Sequence, residues 1–204
     1  MAGKSGFMKD ALILFAITLI SGILLGGVYE VTKEPIKQAT IAANNATYKE
    51  VFPEADSFKE DPAMADKISE CNSKLETESY GAVGVEQVMT ANDAGGTAVG
   101  YVINTYSNDS YGGKIQVSVG LKEDGTVTAI GFLSINDTPG LGLKAKEPAF
   151  KEQYNGKNAE SLAVVKGGGA GDAEINAISG ATISSKATTN SVNAALYFLH
   201  NYLN

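Results

Sequence analysis

The sequence has no tryptophan and no arginine, one cysteine and one histidine, so all sixteen of its basic residues are lysines. Each scarcity closes a route to chemistry. Cys71 alone can neither form an internal disulfide nor hold an iron–sulfur cluster, and no Cys-x-x-Cys-His offers a haem attachment. It reads as a buried or idle thiol. His200 alone, in an apolar C-terminal segment, argues against a zinc site and against a Ser-His-Asp triad. A formal net charge of −7 over 204 residues argues against nucleic acid as a partner, because phosphate backbones call for a basic surface. Any reactivity is therefore expected to come from a bound cofactor.

What is present begins with an uncharged run at residues 11–29, "ALILFAITLISGILLGGVY". At helical rise it spans about 28 Å, close to the hydrocarbon thickness of a bilayer. It is longer than a signal-peptide core, and no Ala-x-Ala-like site or lipoprotein cysteine follows it, so a retained transmembrane helix is expected. Lys4 and Lys9 before the run balance Lys33 and Lys37 after it. The short tail and uncleaved first helix favour an N-terminus in the cytoplasm. The expected organisation is a cytoplasmic tail (1–10), the membrane helix (11–29), a connecting helix (30–53) and an extracytoplasmic domain (54–204). Pro35 suits the first turn of that connecting helix, and Pro53 ends it.

Residues 54–95 are polar and mixed, with no clear period. Beyond them, "TAVGYVINTYS" reads as a strand. Ile115, Val117, Val119 and Leu121 then alternate with polar or small residues, as in a half-buried strand. "EDG" turns the chain back into a partner strand at 127–135, a hairpin expected at the heart of an antiparallel sheet. A short helix over 147–154 and a strand, glycine-rich loop and strand over "VVKGGGAGDAEINAI" follow. Val192, Ala195, Leu196, Leu199 and Leu203 mark one face of a last helix over 184–203. The expected class is α+β, an antiparallel sheet flanked by helices on one side and preceded by the membrane helix.

Two glycine-containing motifs stand out. In Thr138-Pro139-Gly140-Leu141-Gly142, Pro139 and Gly140 fit the central positions of a type II turn. The bland reading is a surface turn; the functional one is a backbone lying flat against a planar ligand. The second motif lies in "ISGATISSKATT", where nine of twelve residues are small or carry a hydroxyl. Ser and Thr there suit a helix N-cap, and the same helix start could equally hold a phosphate. No Gly-x-x-x-x-Gly-Lys-[Ser/Thr] is present, so this is not a P-loop. The absence of arginine fits a phosphate whose charge has been reduced by esterification.

TPGLG followed about forty residues later by a strand and SGAT resembles the flavin-binding domain of the RnfG and NqrC subunits of membrane-bound, ion-pumping electron-transfer complexes. "SNDSYGGKIQVSVGL" is similar to the same family's strand opening. The resemblance implies FMN joined through a phosphoester to Thr182, installed by a separate flavin transferase. It implies a loop shaped by Ser179, Gly180 and Ala181, with Ser185 beside it. Asp137, Thr138, Gly140, Leu141 and Gly142 would line the ring. Implied partners are the other subunits of an Rnf-type complex and membrane lipid, and no metal is implied. Two positions depart from the pattern: Asn176 stands where an aspartate is usual, and Asp137 where glutamate is common. Ser185 and Thr188 are the alternative attachment hydroxyls. A flavin subunit of a related complex, such as a Na+-translocating NADH:quinone reductase, or a membrane-tethered binding module without flavin, are the other readings.

Overall fold

A computed structural model describes residues 4–168 and 171–203. The first three residues of the expected tail, two residues of the glycine-rich loop (169 and 170) and residue 204 lie outside the described residues. The chain divides into two compact units, with the boundary between Ala43 and Asn44.

The first unit is helical. Helix α1 spans Lys4–Val51 and contains Pro35 in its interior. A second helix starting at Pro35 was the expectation; instead the helix absorbs the proline, which removes one amide donor without ending the element. Within α1, Gly6–Lys33 is long and apolar enough to cross a membrane, its most apolar 18-residue window having a mean hydropathy of 2.5. Thr18 and Thr32 return their hydroxyls to carbonyls of their own helix, at 2.9 Å to Phe15 and 2.8 Å to Val28. Such local pairing suits a segment where water cannot serve as partner.

The second unit is an antiparallel sheet of five strands in the order β1 (Ser57–Glu60), β2 (Val83–Asn92), β3 (Ala98–Ser110), β4 (Gly113–Leu121) and β5 (Val127–Ser134). The expected hairpin is β4–β5, in register Val119↔Ile130. It sits at one edge of the sheet, with β3 in the centre. Helix α2 (Met64–Leu75) joins β1 to β2. After β5 come a 3-10 turn (Gly142–Lys146), the short α3 (Pro148–Lys151) with a further 3-10 turn (Glu152–Tyr154), and the strands β6 (Ala163–Val165) and β7 (Glu174–Asn176). These last two strands form a separate parallel pair. The chain then enters α4 (Thr182–Phe198), which closes in a π-helical turn at Leu199–Leu203.

One face of the sheet buries Ile103, Ile115, Val117, Val119, Leu121 and Ile130 against Cys71 and Leu75 of α2 and Val192, Ala195, Leu196 and Leu199 of α4 and its last turn. Asn193 fixes the neighbouring strand pair by accepting from the Leu162 amide at 2.8 Å and donating to its carbonyl at 2.9 Å. Burial pushes the Cys71 thiol up to about 12. At about pH 8 almost no thiolate exists and the sulfur is enclosed, so Cys71 is expected to react with iodoacetamide only after denaturation; rapid labelling of the folded protein would contradict this packing.

The other face is covered as well, although helices on one side were the expectation. The last turns of α1 place Tyr48, Val51 and Phe52 against Met89, Ala91 and Val102. Glycines on three adjacent strands leave room for this approach. A Cβ at Gly100 would meet the Phe52 ring, one at Gly120 would overlap the Val51 carbonyl, and one at Gly131 would lie 2.6 Å from Thr47 Cγ2. Thr128 Oγ1 donates to the otherwise orphaned Val51 carbonyl at the helix end. Below, Asn104 Nδ2 donates to Tyr48 Oη at 2.8 Å and to Gln87 Oε1 at 3.1 Å, and Ser118 Oγ donates to Asn104 Oδ1 at 2.6 Å. The second compact unit thus includes the last turns of α1, from Asn44 onward.

Candidate functional site

Three segments meet at one end of the sheet: the β3–β4 turn, the loop after β5, and the start of α4. Together they enclose a cleft of about 470 Å³ lined by Tyr111, Asp137, Thr138, Leu141, Gly142, Gly180, Ala181, Thr182, Ile183 and Ser184. That volume lies within the range of small-molecule sites.

The TPGLG segment forms the expected turn. Gly140 has φ of 74° and the Leu141 amide donates to the Thr138 carbonyl at 3.1 Å. This positive φ is what the sequence required of glycine. Gly142 has a different reason: a Cβ there would overlap the Asp137 carboxyl. Its hydrogen faces that carboxyl rather than the cleft.

SGAT makes a second turn that runs directly into the helix. Gly180 has φ of 77°, and the Ala181 amide donates to the Ile178 carbonyl at 2.9 Å. The first helical hydrogen bond runs from the Ser185 amide to the Ala181 carbonyl at 3.0 Å. Helix α4 thus begins at Thr182, two residues before the expected start at Ser184. The N-cap is Ala181, without the side-chain cap expected from Ser or Thr. Among the described residues no acceptor serves the amides of Thr182, Ile183 and Ser184. Those donors, at the positive end of the helix dipole, border the cleft and can receive a phosphate oxygen.

Asp137 anchors the floor. It is 7% exposed. Its carboxylate accepts from Ser110 Oγ at 2.7 Å, from Ser184 Oγ at 2.5 Å and from the Thr138 amide at 2.7 Å. Burial pushes the carboxyl upward, but the hydrogen bonds from Ser110, Ser184 and the backbone outweigh it, so its pKa lies below the ordinary carboxylate value. The sign follows: Asp137 contributes stability that is complete above the unfolded-chain value and is lost as pH falls through the folded one. The walls are apolar. Tyr111, Leu141 and Ile183 are 74%, 43% and 55% exposed and stand at the rim. A flat aromatic ring against these side chains, with a phosphate at the helix start, suits this set of residues.

Of the residues expected from the sequence, Thr182, Gly180, Ala181, Asp137, Thr138, Leu141 and Gly142 come together in the cleft. Gly140 shapes the turn from outside it. Ser179 lines a neighbouring hollow with Asn176 and Ile178. Ser185 faces inward, where its Oγ donates to the Ala181 carbonyl and accepts from the Ile178 amide, both at 2.9 Å. Asn176 lies outside the cleft as well. Its backbone is bracketed by Gln153 at 2.8 and 3.3 Å, and its Oδ1 is buried without a partner. Sequence reasoning missed Ser110, Tyr111, Ile183 and Ser184 as site residues. The available signal was a large aromatic in a Gly-rich turn and an isoleucine in the first turn of a helix whose buried face lies elsewhere. Among the described residues no group of three His, Cys, Asp or Glu could hold a metal ion.

Residues 110–197, which include every cleft residue, match the family described as FMN-binding domain. The sequence is 35% identical to the RnfG subunit of the Na(+)-translocating ferredoxin:NAD(+) oxidoreductase complex of Acetobacterium woodii, over 95% of this chain and 91% of that one. It is 32% identical to the corresponding subunit of the proton-translocating ferredoxin:NAD(+) oxidoreductase complex of Clostridium ljungdahlii, over 92% of each. The crystal structure of Shewanella oneidensis NqrC aligns at 19% identity and a TM-score of 0.49, over 56% of this chain and 59% of that one. With an identity of 35% to a relative matched over nearly its whole length, the chain belongs to the RnfG family of ion-translocating oxidoreductase complexes and carries an FMN-binding domain.

Proposed function

We propose that this protein is the membrane-anchored flavin carrier of an Rnf-type complex, with FMN joined by a phosphoester to Thr182. The observation that carries the reading is the position of Thr182: the first residue of α4, half-buried at the cleft wall, beside helix-start amides that have no acceptor among the described residues. A phosphoryl group on that hydroxyl would sit among those donors, and the attached ring would lie along Tyr111, Leu141 and Ile183. The two alternative hydroxyls support the same choice by their burial. Ser185 and Thr188 are fully enclosed, and Thr188 Oγ1 donates to the Ser184 carbonyl at 2.9 Å.

When bound, the flavin supplies the electron chemistry, so the protein needs no acid–base constellation. Its own residues hold the group, exclude water from one side and fix its distance from neighbouring subunits. The relatives belong to ferredoxin:NAD(+) oxidoreductases, which fits a role in relaying electrons between those two couples during ion translocation. Residues 11–29, the uncharged centre of the apolar run Gly6–Lys33, fit a lipid-embedded tether, with residues 1–10 as a cytoplasmic tail and the domain outside.

The test is co-expression with a flavin transferase followed by a denaturing gel. A fluorescent band that appears only with an active transferase is expected; a dark band would overturn the covalent reading. A topology reporter fused at the C-terminus is expected to report the outside, and a cytoplasmic signal would reverse the orientation.

A further inference from the structure

Buried carboxylates are ordinarily paired with a cation, because an isolated charge in a low-dielectric interior is costly. Asp137 is an exception. No lysine among the described residues pairs with it, and its partners are two serine hydroxyls and the backbone amides of Thr138 and Gly112, all neutral. These donors keep the carboxyl ionised without cancelling its charge. Its position is set tightly: the carboxyl packs against the backbone of Gly142, so the charge lies directly beneath the loop that walls the cleft. Ser110 and Ser184 direct their protons to it and therefore offer only lone pairs elsewhere.

We infer that Asp137 is a positioning residue whose uncompensated negative charge holds down the reduction potential of a flavin in the cleft. The inference rests on the reading of the cleft as the flavin site. Adding electrons to a ring beside a fixed negative charge is opposed by Coulomb repulsion, which is stronger in a water-poor site than in bulk solvent. With its proton committed to Asp137, Ser184 presents only lone pairs to the cleft, which likewise favours the less electron-rich, oxidised ring. A purely structural role, in which the carboxylate only ties the β3–β4 turn to α4, makes a different prediction. Asparagine has nearly the same shape and its Oδ1 can keep both serine donors, although its Nδ2 cannot accept from the Thr138 amide; a tie of that kind would leave the potential unchanged.

The experiment uses the full-length chain, wild type and Asp137→Asn, each co-expressed with a flavin transferase and solubilised in detergent. Loading is read from gel fluorescence and the midpoint potential from a spectroelectrochemical titration. The expected result is equal loading, with the Asp137→Asn equilibrium shifted toward the reduced form at least tenfold, about 30 mV more positive for a two-electron couple. Equal loading with an unchanged potential overturns the inference and leaves the flavin reading standing. A dark wild-type band overturns both. Should Asp137→Asn fail to fold, Asp137→Ser provides the second measurement. It removes the charge outright and keeps a hydroxyl among the same donors, so the same positive shift is expected, and an unchanged potential overturns the inference.

Discussion

Replacing Thr182 with alanine is expected to abolish in-gel flavin fluorescence entirely, while Thr182→Ser retains a fluorescent band. Access decides the outcome. Of the hydroxyls in this stretch, those of Ser184, Ser185, Thr188 and Thr189 are buried and engaged: Ser184 donates to Asp137, Ser185 and Thr189 to backbone carbonyls, and Thr188 to the Ser184 carbonyl. Thr182 alone among them lines the cleft with no side-chain hydrogen bond among the described residues. Alanine at the first helical position removes no such bond and favours helix, so the fold should survive. Circular dichroism and the melting temperature of Thr182→Ala should stay close to wild type. A variant that is folded and as fluorescent as wild type would move the attachment elsewhere.

A chain that begins at residue 54 is expected to aggregate or to melt far below one that begins at residue 44. The shorter fragment loses Tyr48, Val51 and Phe52, which are almost completely buried. Full burial of a Val or Phe side chain contributes about 1.5–3 kcal/mol, so three residues of this kind account for roughly 5–8 kcal/mol. A domain's entire stability is about 5–15 kcal/mol. The loss also exposes Met89, Ala91 and Val102, leaves the glycine-lined depression empty, and deprives Asn104 of its Tyr48 partner. At about 2–4 °C per kcal/mol for a domain of this size, the shift is on the order of 15 °C or more. Thermal melts of the two fragments decide the matter: equal midpoints would show that the end of α1 is not part of the core.

Much of the architecture could be read locally. The β4–β5 hairpin was visible because its large apolar residues alternate with polar or small ones and the turn is short. Val192, Ala195, Leu196 and Leu199 were visible because they repeat at helical spacing. Residues 57–92 were not legible for two reasons. Strand β2 is covered on both faces, which erases the alternation, and a register shift between Val85 and Gln87 inverts what remains of it. The start of α4 was misplaced because its cap is an alanine, and the usual hydroxyl signal pointed two residues too far along.

The sequence by itself determined that this protein has an uncharged run of bilayer length, that it has one histidine, one cysteine and no arginine, and that TPGLG and SGAT occur at domain-scale spacing. Each of these is a property of composition or of neighbours along the chain. The tertiary structure alone decided which hydroxyl of "SGATISS" faces the cleft, because successive helical residues turn by about 100° and only packing says which direction is inward. It alone brought Ser110 and Ser184 to Asp137 across separations of 27 and 47 residues. It also placed the end of α1 in the core of the domain. Contacts between residues so far apart leave no local period, and so they could be read only from the folded chain.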